Sequence, residues 1–135
     1  MKPLLATAVV AGLALAGLIA AAPDLLPPGP TAVYLSTFDV ADPPPNFQII
    51  SIVLDFEPGS WTPMHTHGGP GIVTVLEGTV TRRNLEGEEH SFGPGDTWLE
   101  TGEVEAAGND TESTARVVFT LMLPEGEDVT IPYQE

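Results

Sequence analysis

Beyond residue 30, glycine and proline interrupt the chain so often that most of what lies between them is too short for a helix. Pro58-Gly59, Gly68-Gly69-Pro70-Gly71, Glu77-Gly78 and Gly93-Pro94-Gly95-Asp96 are all turn signals. The segments they bound are rich in Val, Ile and Thr, side chains that pack well on a pleated surface. This pattern predicts strands over residues 47–56, 72–76, 79–83, 88–92, 97–99, 104–107 and 116–123. An earlier strand is expected over residues 31–38, ahead of the stiff Asp42-Pro43-Pro44-Pro45-Asn46 loop. Short strands at regular spacing joined by tight turns form an antiparallel meander, so the expected class is all-β, a sandwich or a barrel. A chain of 135 residues has room for one such core.

Residues 1–22 stand apart. Lys2 precedes an unbroken apolar run from Leu4 to Ala22, which reads as a secretory signal peptide or, if retained, a membrane anchor. Residues 23–30 then form a Pro- and Leu-rich linker, and residues 31–135 the β-barrel domain. The expected location is therefore secreted or in the cell envelope, with membrane contact only if the first segment stays attached. A formal charge of −15 excludes nucleic acid as a partner, because such a surface repels phosphate. The acidic clusters Glu86, Glu88, Glu89 and Glu125, Glu127, Asp128 read as solvated turns. With no cysteine, stability has to come from the core and from any bound metal.

Two of the three histidines form the pair His65-Thr66-His67. On a strand, residues i and i+2 point to the same side, so both imidazoles can address one metal ion. The other reading is a solvated pair in the loop after Pro63. The third histidine, His90, falls on a different strand among acidic neighbours and reads as solvent-exposed. Trp61, Met64, Trp98 and Phe119 are assigned to packing, and Arg82 and Arg83, on opposite faces of one strand, to the surface, the alternative being that one of them enters a cavity and binds a carboxylate. Asn109-Asp110-Thr111 matches the glycosylation acceptor pattern. No phosphate-binding loop, His-Glu-x-x-His helix or Gly-x-Ser-x-Gly elbow is present.

The spacing Gly59, five residues, His65-Thr66-His67, then Gly71 and Gly78 after Val75-Leu76-Glu77 resembles the first motif of the cupin superfamily. Gly93-Pro94-Gly95-Asp96-Thr97-Trp98, followed by Gly102 to Asn109, is similar to the second. The resemblance implies a single cupin jelly-roll β-barrel with a site at its mouth. It also shows two departures. Gly71 stands where the first motif has a glutamate ligand, and Glu105 stands where the second has a histidine. Carried over position by position, the resemblance implies His65, His67 and Glu105 as metal ligands with one place vacant. This two-histidine, one-carboxylate set suits Fe, Mn, Zn or Ni. The function implied is a small cupin that binds a divalent metal and a small-molecule ligand or substrate, as an O2-dependent oxidoreductase or an isomerase. The competing reading is a metal-free, non-catalytic extracellular module that binds a ligand or serves a structural role. A homodimer through an edge strand is compatible with either.

Overall fold

The computed structural model describes residues 36–43 and 45–134. The apolar segment 1–22 and the linker 23–30 lie outside the described residues, as do residues 31–35 of the first expected strand. Its remaining part, residues 36–38, has no strand conformation.

Nine strands follow: β1 (Phe47–Phe56), β2 (His65–Thr66), β3 (Gly71–Glu77), β4 (Val80–Asn84), β5 (Glu89–Phe92), β6 (Thr97–Glu100), β7 (Glu105–Gly108), β8 (Ala115–Pro124) and β9 (Ile131–Pro132). They form two antiparallel sheets, in the order β1-β8-β3-β6 and β5-β4-β7-β2-β9, as a jelly roll requires. The architecture is all-β, with no helix among the described residues.

Strand β8 shows why the sheets close on each other. Ala115, Val117, Phe119, Leu121 and Leu123 are buried while the residues between them are not, the two-residue period of a strand with one face on the core. They meet Val73 and Val75 of β3, Trp98 of β6, and Val80 and Ala107 from the opposite sheet. The outer face of the four-stranded sheet stays open. Ile49 is 68% exposed and Val53 60%, and β1 is that sheet's edge.

Two positions fix how the strands connect. Gly78 turns β3 into β4 at φ 72, and a Cβ there would lie 2.8 Å from the Thr114 carbonyl oxygen, so the turn demands glycine. Asn109 is fully buried just after β7. Its Nδ2 donates to the carbonyls of Phe56 and Ser113, and its Oδ1 accepts from the N–H and hydroxyl of Thr111. The side chain thereby ties the end of β1 to the loop before β8. This corrects the glycosylation expectation, because both amide hydrogens are already used inside the protein.

Candidate metal and ligand site in the barrel

A cavity of about 320 Å³ opens between the sheets. Its walls are mostly apolar, from Ile52 and Leu54 of β1 through Val73, Val80 and Trp98 to Val117 and Phe119. The polar groups lining it include His65, His67, Glu100 and Glu105.

Both histidines enter as the i, i+2 spacing predicts. Their rings meet edge to face with centroids 4.8 Å apart, and the His67 ring also packs against Phe119 at 4.7 Å. Each is held from behind by a backbone carbonyl. His65 Nδ1 donates to the Pro63 oxygen at 2.8 Å, and His67 Nδ1 to the Val129 oxygen at 2.6 Å. A carbonyl can only accept, so Nδ1 carries the hydrogen in both rings, and in the neutral form Nε2 carries the lone pair. Metal-binding histidines are oriented in this way.

Glu105 is 3% exposed and sits directly opposite His65 in the pairing of β2 with β7. The residue at the second motif's ligand position is therefore the strand neighbour of His65. Its Oε2 is engaged by the Nε of Arg82, whose Nη2 reaches the exposed Glu103 at 2.8 Å. Arg82 thus follows the alternative, an arginine that enters the cavity and binds a carboxylate, and not the surface assignment. Arg82 pairs with Ala107 across β4 and β7, so it shares the inward face, and the buried carboxylate holds it there. Arg83 does point outward, stacked 4.1 Å over the Trp61 ring and bonded to Glu89. His90 is exposed, as expected.

The residue the sequence reading missed is Glu100, at the end of β6. It is 8% exposed, and its Oε1 accepts from the Trp98 indole N–H at 3.1 Å. Its Oε2 lies 2.8 Å from His67 Nε2. The two form a buried imidazole–carboxylate pair. The available signal was parity: Glu100 is two residues from Trp98, so both face the core.

Burial and the neighbouring Glu100 push the Glu105 carboxyl up to about 8, against the opposing pull of Arg82. Burial alone would raise Glu100 too, but hydrogen bonds with His67 and Glu105, together with the Trp98 indole, hold it below the usual carboxylate range. Burial lowers His67, while Glu100, the Val129 carbonyl and Glu105 outweigh it and leave the imidazole raised. Two carboxylates and two imidazoles thus share one end of an apolar cavity.

Among the described residues, no three His, Asp or Glu side chains already close around a common point as a metal centre does. Their donor atoms are turned toward one another instead. The donor types are those a divalent ion accepts: two imidazoles pinned through Nδ1, beside two buried carboxylates.

Comparison with known proteins agrees with the fold. A family model described as a cupin domain matches residues 52–121. The polyketide cyclase RemF from Streptomyces resistomycificus superposes with TM-score 0.56 at 19% identity, over 64% of this chain and 61% of the cyclase. An uncharacterised protein with a double-stranded β-helix domain from Klebsiella pneumoniae gives 0.54 at 20% identity, over 64% and 76% of the two chains. The DMSP lyase DddQ from Ruegeria pomeroyi gives 0.53 at 17% identity, over 62% of this chain and 42% of the lyase. At such identities the likeness is one of fold. No curated protein matches significantly.

Proposed function

The chain belongs to the cupin family, and from that premise we propose that its barrel binds a divalent metal ion together with a small, largely apolar molecule, as an O2-dependent oxidoreductase or an isomerase. Fe, Mn, Zn and Ni all accept the mixed nitrogen and oxygen donors available. The observation that carries the reading is the pair of imidazoles fixed through Nδ1 to backbone carbonyls beside two buried carboxylates, at the polar part of an otherwise apolar cavity. His65, His67 and Glu105 would hold the ion, which supplies a Lewis acid or a redox centre.

The protein's own groups do the rest. Val73, Val117, Phe119 and Trp98 take up the ligand's apolar body and exclude water from it. Glu105 would serve the ion as its ionised carboxylate, so the affinity for a proton that burial and Glu100 give it makes metal uptake stronger as pH rises. Arg82 keeps that carboxyl in one orientation. The fold neighbours include a cyclase and a lyase by name, which supports reading this barrel as an enzyme. Export of the domain is proposed on the strength of the apolar run in residues 1–22 alone.

A second reading, a metal-free ligand-binding module, is favoured by the way the donors now bond to one another. Elemental analysis of untagged protein after anaerobic Fe(II) loading separates the two. One equivalent of metal, and O2 uptake that depends on added substrate and is lost in His65→Ala, is the expected result for the oxidoreductase form. No retained metal leaves only the module.

A further inference from the structure

We propose that the cavity takes an uncharged, apolar molecule bearing a hydroxyl group, and that His65 recognises this group as a hydrogen-bond acceptor. The inference rests on the second reading above, a ligand-binding module, and names the class of ligand that module takes.

Charge sets the first limit. Apart from His65, each ionisable group at the polar end of the cavity already has its counterpart. Glu100 faces His67, with Oε2 2.8 Å from Nε2, and Glu105 is engaged by Arg82. A charged ligand would find no opposite charge left over, and its loss of water would go uncompensated among Ile52, Val73, Val117 and Phe119. The ligand is therefore neutral.

Hydrogen bonding narrows the class further. The His67 ring is engaged at both nitrogens, by the Val129 carbonyl and by Glu100. Glu100 Oε1 takes the Trp98 indole hydrogen, and Oε2 is closed off from solvent. His65 differs. Its Nδ1 donates to the Pro63 carbonyl, so Nε2 holds the lone pair of the neutral ring, and Nε2 has no partner among the described residues. That nitrogen can only accept, so it favours a ligand that donates, whereas a carboxylate would bring lone pairs against a lone pair. Thr62 lines the same cavity, and its hydroxyl oxygen already accepts the Ala107 N–H, which leaves the hydroxyl hydrogen to donate. A hydroxyl is the smallest neutral substituent able to give a hydrogen to an imidazole and take one from a threonine. An acceptor left unmatched inside an apolar cavity is costly, so a ligand lacking the hydroxyl hydrogen should be disfavoured by about tenfold or more.

The test uses four compounds substituted at the same ring position: naphthol, its methyl ether, naphthoate and naphthylmethylammonium. The ether keeps the oxygen of naphthol and loses only its hydrogen. Each is titrated into the full chain and followed by nuclear magnetic resonance. Naphthol is expected to bind about tenfold or more tightly than the ether and than either ion. His65→Phe keeps a flat ring without an acceptor, and should bring naphthol and the ether to about the same affinity. In wild-type protein with isotope-labelled histidines, the His65 Nε2 resonance should move on adding naphthol and stay in place with the ether, a readout that needs no variant to fold. Equal binding of naphthol and its ether by wild type, tighter binding of either ion, a preference that survives in His65→Phe, or an unmoved His65 resonance with naphthol bound would overturn this assignment and leave the ligand-binding reading standing. If none of the four compounds binds, both are overturned.

Discussion

Replacing Glu105 by glutamine should remove most of an unusual fall in stability as pH rises from 5 to 8. In the folded chain this carboxyl, buried and next to Glu100, titrates at about 8, against 4.5 for a free glutamate. Over that interval the folded state keeps a proton that the unfolded state has released. The contribution is therefore complete below the unfolded value and is lost as pH climbs through the folded one. Taken alone, such a shift is worth about 5 kcal/mol. Glu100 and Glu105 titrate as a pair, so that figure is the upper bound of the loss. His67 adds to the decline in the same direction: its raised pKa gives stability below 6.5 that fades as pH passes the folded value. Glu100, held low, acts oppositely, but only below the ordinary carboxylate range, where its contribution falls away with acid. The assay is urea unfolding of chelator-treated protein at pH 5, 6.5 and 8. Wild type should be most stable near pH 5, and Glu105→Gln should retain only the shallower slope due to His67. A wild type that gains stability from pH 5 to 8, or a variant with the full wild-type slope, would refute the account of the buried carboxylate pair.

Asn109→Ala should cost about 3 kcal/mol, because it leaves the Phe56 and Ser113 carbonyls without the amide that joins them; thermal unfolding followed by circular dichroism measures it, and a change under about 0.5 kcal/mol would contradict the role assigned. Gly108→Ala should destabilise by about 2 kcal/mol, since the added methyl is driven into the Trp61 ring. Trp61 fluorescence should shift in that variant as the indole is displaced, and an unshifted spectrum with unchanged stability would count against the packing described.

The strand pattern could be read from the residues because β structure has a local signature. Turn residues such as Gly78, and the alternation along residues 115–124, act within a few positions of one another. For the same reason the i, i+2 spacing of His65 and His67 was enough to put both rings on one side. Residues 31–38 were misleading at their described end, where Ser36 to Phe38 find no partner strand, and propensity without a neighbour to bond does not make a strand.

What the order of residues settled was the class of fold, the inward pair of imidazoles and the candidacy of Glu105, all of which depend on spacing along one strand or on matched motif positions. What it left undecided was which side chains from different strands would meet. Glu100 meets His67 only when the sheets close, Arg82 finds a buried carboxylate only because β7 lies beside β4, and Asn109 is sealed in only by strands far away in the chain. Register and sheet closure are set by the sum of many packing contacts across the barrel. No short window of sequence contains that sum, so which side chains meet in this cavity belongs to the tertiary structure.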